Sequence, residues 1–194
     1  MKSSRSLHRL TEAGVTAALY AALTLILPVL SFGPVQFRLS EALTILPVFT
    51  PAAIPGLTLG CVLANAIGLG VGANPAGLMD IAFGSVATLL AALCSYGLRN
   101  VRWFGVPVLS TIPPVFFNAA IIGLELCFMV LGGFSWEGFG LMAAEVGAGE
   151  AVVAIAGGVI VFLAIEKTGV KNKLFLAGKS GSLCRSHDKS RRNP

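Results

Sequence analysis

The stretch that decides the fold is residues 42–79, ALTILPVFTPAAIPGLTLGCVLANAIGLGVGANPAGLM, which contains no charged residue. A single helix of this length would extend about 57 Å at ~1.5 Å per residue, nearly twice the ~30 Å hydrocarbon core of a bilayer. Pro51 and Pro55 supply a break, because proline removes a helical hydrogen bond. The stretch therefore predicts a short helix over 38–50 and another over 53–70.

The rest of the chain repeats this pattern of apolar runs between polar, glycine and proline breaks. Of its 194 residues, 55% are hydrophobic and 12% are charged, whereas soluble domains carry about 25% charged residues. We therefore predict an all-α integral membrane protein with one six-helix membrane domain over 1–166. The other helices are expected at 13–31, 80–98, 106–131 (kinked at Pro113-Pro114) and 141–165, with loops at 68–77 and 132–140.

Basic residues gather at the two ends of the chain. The net charge is +5; Lys2, Arg5 and Arg9 precede the first apolar run, and residues 167–194 carry eight more Lys or Arg. Positive charge favours the cytoplasmic side of a membrane, so six spans place both termini in the cytoplasm. A basic segment beside a span is typical of a topology signal or a lipid contact. We expect no nucleic-acid partner, and we expect 167–194 to be a disordered cytoplasmic tail.

Polar side chains lie inside or beside the apolar runs, and this threading places all of them in the outer leaflet. A charge at the bilayer centre costs at least ~2.5–3.5 kcal/mol on insertion scales. An ionisable residue there is therefore treated first as a candidate functional residue. We therefore predict a polar pocket that is open to the outside and captures a solute. Its candidate residues are Arg38, Glu41, Asn65, Asp80, Asn118, Glu125, Glu145 and Glu150.

Several of these residues also have structural explanations. Arg38 and Glu41 are three positions apart and could pair with each other on one helix. Asp80 could cap the start of its helix, and Glu145 could reach water at the headgroups. The two acids best suited to binding are those with apolar neighbours on both sides and no basic residue nearby in sequence, which are Glu125 and Glu150.

Carboxylates beside asparagines suit a ligand that is rich in N–H groups. A carboxylate accepts hydrogen bonds and an asparagine amide both donates and accepts, so the set matches a guanine-like edge or a cationic group. Buried carboxylates can instead take up protons, which leaves a stand-alone proton-coupled carrier as an alternative. A membrane scaffold or assembly factor is a third class, and it predicts no saturable ligand.

Small residues recur every four positions along the first helix in two parallel rows. This spacing permits close helix approach, either within the protein or with a partner. Gly56 and Gly60 form a similar GxxxG pair, for which internal packing is the favoured interpretation. The two rows of the first helix are Ala13, Ala17 and Ala21, and Gly14, Ala18 and Ala22.

The sequence indicates neither catalysis nor a bound cofactor. Gly178-Lys179-Ser180 resembles the end of a P-loop, but that pattern requires glycine where Lys173 stands. His8 and His187 lie in the two tails, and the cysteines show no metal-ligand spacing. We predict that the chain is not an enzyme, has no ATPase of its own and binds no metal.

Residues 32–47, FGPVQFRLSEALTILP, closely resemble the queuosine-precursor transporter family (QueT), whose members are substrate-binding S components of energy-coupling-factor transporters. The resemblance continues in order through PGLTLGCVLAN at 55–65, DIAFGSVATLLAAL at 80–93, PPVFFNAAIIGLEL at 113–126 and GAGE at 147–150.

This resemblance implies a six-helix S component in the plasma membrane of a bacterium. The implied substrate is 7-cyano- or 7-aminomethyl-7-deazaguanine, or queuine, with Phe37 or Trp136 as candidates to stack on its ring. The implied partners are a transmembrane coupling subunit and two cytoplasmic ATPases, so ATP is used by the partners. S components contact the coupling subunit through an AxxxA signature, which the row of Ala13, Ala17 and Ala21 matches.

Overall fold

The structure is a computed structural model that describes residues 2–33 and 35–169. The regular elements within these residues are all helical. Most of the basic segment 167–194 lies outside the described residues, so its predicted disorder stays a prediction. The helices are α1 (Lys2–Ile26), α2 (Leu39–Val48), α3 (Ala53–Gly70), α4 (Leu78–Gly97), α5 (Val108–Leu131) and α6 (Trp136–Thr168), with a single turn at Pro28–Ser31 between α1 and α2.

Four helices in the described part of the chain are long and apolar enough to cross a membrane, namely α3, α4, α5 and α6. Helix α2 is a 3-10 helix of 10 residues, so at roughly 2 Å per residue it extends only about 20 Å. Helix α1 is 25 residues long but begins with a charged segment. The chain is therefore an all-helical protein with membrane-spanning helices, whereas six crossings and two cytoplasmic termini stay predictions.

Proline and glycine set the helix ends around the apolar stretch, as the sequence predicts. Helix α3 has the predicted bounds, Ala53–Gly70, directly after the turn at Pro51. Pro47 lies inside α2. A proline has no N–H to donate, so one backbone hydrogen bond is missing near the end of this segment.

Helices α5 and α6 differ from the sequence-based expectation at their starts. Pro113 and Pro114 do not kink a continuous helix; they lie in the first turn of the α-helical part Ile112–Leu131, after a 3-10 turn at Val108–Thr111. Proline is tolerated there because the first N–H groups of a helix have no partner to lose.

The predicted loop over 132–140 is too long. Helix α6 already begins at Trp136, where the Ser135 hydroxyl accepts a hydrogen bond from the Gly138 N–H at 3.0 Å, which is a normal N-cap. Further along α6, residues Ala151–Gly157 form a π-helical segment directly after Glu150. Such segments are frequent at functional sites.

The interface between α1 and α3 is built on the two glycines of the GxxxG pair. A Cβ at Gly56 would lie 2.7 Å from the Ala13 carbonyl oxygen, and one at Gly60 would lie 2.9 Å from that of Ala17. The two backbones therefore approach closely only because these positions lack a side chain. The preference for internal packing of this pair is confirmed.

This packing corrects the assignment of the first small-residue row to a partner. Ala17 and Ala21 are buried, and Ala13 contacts Gly56, so this row faces α3 within the protein. The second row is the exposed one, and beyond its own helix no described atom lies within 4 Å of a Cβ built at the first of its members. Its residues are Gly14, Ala18 and Ala22.

Valine at Gly60 is expected to lower the free energy of unfolding by about 1–3 kcal/mol, because added groups in a packed interface force atoms apart. The new Cβ would lie 2.7 Å from the Cβ of Tyr20. Valine at Gly14 is the matched control, since it adds the same atoms to an open face. Thermal unfolding of both variants in detergent measures the difference, and equal midpoints would contradict this description of the α1–α3 interface.

Candidate binding site

A buried ion pair joins the segment before α2 to the first turn of α4. Arg38 Nη2 lies 3.5 Å from Asp80 Oδ2, and both side chains are almost fully buried. The ion pair of Arg38 is thus formed across the fold and not with Glu41, which the spacing offered as an alternative partner. Asp80 is not a helix cap either, because the N-cap position of α4 is Gly77 and the Asp80 carboxylate accepts from Asn74 Nδ2 at 2.9 Å.

Glu41 is held by a tyrosine from α1. The Tyr20 hydroxyl donates a hydrogen bond to Glu41 Oε1, and both residues are fully buried. The other carboxylate oxygen of Glu41 has no hydrogen-bond partner among residues 2–33 and 35–169. The tyrosine thus fixes the position of Glu41, and the second carboxylate oxygen of Glu41 can still accept a hydrogen bond.

Glu125 and Glu150 stand apart from the other acids, because neither oxygen of either carboxylate has a hydrogen-bond partner in the described structure. Glu150 is fully buried and Glu125 is 6% exposed. Electrostatic interactions link Glu125 to Asp80, and Glu150 to Glu41. Both acids also interact with Arg38, so they belong to one cluster with the ion pair.

The two predicted asparagines also lie in this cluster. Asn65 Nδ2 donates to the backbone carbonyl of Asp80 at 2.7 Å, which leaves its Oδ1 as an unpaired acceptor within the described residues. Asn118 is close enough to Glu150 to interact with it, although its Nδ2 makes no hydrogen bond to any described residue. Asn118 thus supplies an unpaired donor beside an unpaired acid.

Glu145 is the one predicted site residue that the structure leaves apart. It is only half-buried on α6, and no ion pair or hydrogen bond between described residues joins it to the cluster. It is five positions before Glu150, about 140° away around the helix. The aromatic candidate Trp136 also points away, since it is 78% exposed and packs edge-on against Phe134.

Two glycines explain why the cluster can form. A Cβ at Gly84 would lie 2.9 Å from Asn65 Nδ2 and 3.0 Å from Asp80 Oδ1, so a larger residue there would push these two groups from their positions. A Cβ at Gly149 would clash with the Gln36 backbone. The absence of a side chain at Gly149 lets the segment before Arg38 lie directly on α6, next to Glu150.

Two cavities meet at Glu125. The smaller one, about 160 Å³, is lined by four polar side chains and by apolar ones that include Phe32 and Ile122. The larger one, about 450 Å³, is an apolar groove between α4 and α5, with Phe83 and Phe128 in its lining. Only the smaller cavity has the mixed lining expected of a ligand site. Its polar residues are Gln36, Asn74, Asp80 and Glu125.

The described helices thus hold a buried polar cluster with unpaired donors and acceptors, and two of its acids, Asp80 and Glu125, line the smaller cavity. Residues 10–167 of this chain match the family described as QueT transporter. The chain belongs to the QueT transporter family. It is therefore a transport protein of the membrane, in agreement with its long apolar helices.

One curated relative of this QueT family member is the queuosine precursor transporter QueT of Lactococcus lactis subsp. cremoris (strain MG1363). It is 37% identical over 93 residues, which are 46% of this chain and 54% of the relative. The chain thus matches about half the length of that relative. No solved structure matches the chain.

Sequence reasoning missed several residues of the site in this QueT family member. Tyr20 and Phe32 looked like ordinary apolar-run residues, and Asn74 looked like a loop residue. The signal for Phe32 and Gln36 was present in the sequence, because both belong to the 32–47 segment that carries the family resemblance. Neither bears a charge, so a search for intramembrane acids does not find them.

Proposed function

We propose that this chain is the substrate-specificity subunit of an energy-coupling-factor importer and that it binds a queuosine precursor from outside the cell. The observation that carries the proposal is the set of buried, unpaired polar atoms between the helices. An unpaired buried carboxylate is costly in free energy. Membrane proteins retain such groups mainly where a ligand or an ion uses them.

The chemistry of the unpaired atoms supports a 7-deazaguanine ring. Glu150 offers two acceptor oxygens and Asn118 offers a donor next to them. The guanine edge needs this combination, because it presents adjacent N–H groups beside a carbonyl oxygen. We assign Glu150 to the ring N–H groups and Asn118 to the carbonyl, while Asn65 Oδ1 is a further acceptor.

The relative from Lactococcus lactis bears the name of a queuosine precursor transporter, and this supports the substrate class. In the proposal, a transmembrane coupling subunit and two cytoplasmic ATPases drive the import, so this chain uses no ATP itself. The exposed row of α1 replaces the buried one as the proposed contact with the coupling subunit. It consists of Gly14, Ala18 and Ala22.

Calorimetry on the purified chain tests the binding step. We expect saturable binding of at least one of 7-cyano-7-deazaguanine, 7-aminomethyl-7-deazaguanine and queuine. Adenine should not bind, because its edge exchanges the donor and acceptor positions that Glu150 and Asn118 would read. If none of the three compounds binds, the assignment fails.

Reconstitution in liposomes separates the importer from a proton-coupled carrier. The importer requires the coupling subunit, the two ATPases and ATP for uptake. Uptake by this chain alone, driven by a pH gradient, would instead support the carrier.

A further inference from the structure

The connection between α4 and α5 contains a tight hairpin that presents two aromatic side chains. Trp103 and Val106 pair through backbone hydrogen bonds of 2.9 and 3.0 Å, so Phe104 and Gly105 form a two-residue turn. Trp103 is 67% exposed and Phe104 is 95% exposed, the highest value among the large apolar side chains that the structure describes. Their rings stack with centroids 6.1 Å apart. The tip of the hairpin is thus an apolar projection.

The turn holds Phe104 in a conformation that is unfavourable for its residue type. The φ angle is 48° at Phe104 and 83° at Gly105. A two-residue turn with positive φ at both positions favours asparagine, aspartate or glycine, and Phe104 is the one non-glycine residue with positive φ in the described part of the chain. Backbone strain of this kind is concentrated at functional positions. An aromatic ring at this strained tip therefore indicates a use for the ring.

The hairpin also carries positive charge that no nearby acid balances along the chain. Residues 81–124 contain no Asp or Glu, and their only charged residues are Arg99 and Arg102. Neither arginine forms an ion pair with an acid among residues 2–33 and 35–169. The connection therefore combines two exposed aromatic rings with two positive charges.

Both guanidinium groups are held in place and still have donors to offer. Arg102 Nη1 donates to the Gly105 carbonyl at 3.2 Å, and its guanidinium carbon lies 5.6 Å from the centre of the Phe162 ring. Arg99 Nη1 donates to the Tyr96 carbonyl at 2.8 Å, with the guanidinium 3.9 Å above the ring of the same tyrosine. A guanidinium has five N–H donors, and their planar arrangement suits the oxygens of a phosphate group.

The hairpin lies where a bilayer surface meets the protein. It joins the ends of α4 and α5, which are both long and apolar enough to cross a membrane. Exposed apolar side chains on these helices begin close to the hairpin, at Leu93 and Leu109. Aromatic residues are enriched at the membrane–water interface, and basic residues there attract anionic lipid headgroups. The hairpin has both properties at one place.

We propose that the hairpin 101–106 is a binding site for an anionic phospholipid. Trp103 and Phe104 enter the boundary between headgroups and acyl chains, while Arg99 and Arg102 contact the lipid phosphate. The observations favour lipid over a protein partner, because two aromatic side chains offer roughly 300–500 Å², whereas a specific protein interface buries about 800 Å² per partner. This inference does not depend on which solute the protein transports.

The two tryptophans of the chain allow a direct test by fluorescence in vesicles. Trp136→Phe leaves Trp103 as the single reporter in the full chain, reconstituted in phosphatidylcholine with increasing fractions of a lipid brominated on its acyl chains, which quenches tryptophan on contact. We expect brominated phosphatidylglycerol to give half-maximal quenching at a mole fraction at least about fivefold lower than brominated phosphatidylcholine. One arginine near the surface attracts anionic lipid by roughly this factor.

The matched control reports from the other end of α5. Trp103→Phe leaves Trp136, which is exposed, follows α5 and is adjacent to Glu137; the two brominated lipids should quench it equally. In the Trp136→Phe background, Arg99→Gln combined with Arg102→Gln should remove the preference for phosphatidylglycerol. Trp103 should still be quenched in that variant, because its aromatic contact with the bilayer remains.

Phe104→Gly separates a lipid anchor from a structural turn. Glycine adopts positive φ without steric cost, so this variant should unfold in detergent at the same temperature as the parent protein or higher. The quenching of Trp103 by brominated lipid should fall at least about twofold, because the tip no longer buries the phenylalanine ring in the bilayer.

Three results would overturn parts of this proposal or all of it. Equal half-quenching fractions of the two lipids for Trp103, or a preference that survives both glutamine substitutions, would overturn the headgroup site. Unchanged quenching in Phe104→Gly would overturn the role of the ring. If Trp103 is not quenched by brominated lipid and is fully accessible to aqueous acrylamide, the anchor as a whole is wrong and a protein partner for the tip is favoured.

Discussion

Replacing Glu150 with leucine is expected to abolish detectable precursor binding while the ligand-free protein unfolds at the same temperature as the wild type or higher. Each lost hydrogen bond between the carboxylate and a ring N–H weakens binding by about 1.5–3 kcal/mol, roughly 12- to 160-fold. The stability of the ligand-free protein should not fall, because the Glu150 carboxylate makes no hydrogen bond with any described residue. An apolar side chain of similar volume removes a desolvation cost instead.

The opposite signs of these two effects distinguish a binding residue from a structural one. Glu137→Gln is the matched control, since it changes an exposed acid at the start of the same helix and should alter neither binding nor stability. Calorimetry and thermal unfolding on the three proteins provide both measurements. A Glu150→Leu protein that loses stability as well as binding would indicate that the carboxylate has a structural partner.

Replacing Arg38 with methionine is expected to destabilise the protein strongly, by about 3–5 kcal/mol, because it leaves a buried carboxylate without its counter-charge. Asp80 is the ion-pair partner, and Glu41 and Glu150 also interact with the guanidinium. The single substitution thus leaves three buried acids close together. It should lower the midpoint of thermal unfolding and the yield of folded protein.

A double substitution shows whether the ion pair is the cause. Arg38→Met combined with Asp80→Leu removes both charges, and such replacements of buried pairs are often neutral. We expect the double variant to recover much of the lost stability, with a coupling energy measured by the four-protein cycle. Purely additive effects would argue against a direct pair between Arg38 and Asp80.

Part of this site could be predicted from sequence because the cost of a charge in an apolar run is a local property. That rule alone selected Glu41, Asp80, Glu125 and Glu150, which the structure brings together. It also selected Glu145, which lies apart from them, because position along the chain does not say which way a side chain faces on its helix. The helix ends at proline and glycine were predictable for the same local reason, as the bounds of α3 show.

The partners within the site were not predictable in this way. The spacing allowed Arg38 to pair with Glu41, three positions away, whereas the fold pairs it with Asp80 on another helix. Gln36 and Asn74 carry no charge, so the cost of burying charge did not select them, although Gln36 lies in the segment that carries the family resemblance; both line the cavity through the fold. The choice between the two small-residue rows of α1 likewise depends on where Gly56 and Gly60 lie in space.

By itself, therefore, the sequence determined that this is a helical membrane protein with buried acids, since hydropathy, helix breaks and the cost of burying charge act over a few neighbouring residues. Only the tertiary structure decided which acids are neutralised and which stay unpaired. Within the part of the chain that the structure describes, Glu125 and Glu150 have no hydrogen-bond partner, and the buried Arg38 pairs with Asp80 because α2 packs against α4. Such a pairing depends on distances across the fold, which a local sequence pattern does not determine.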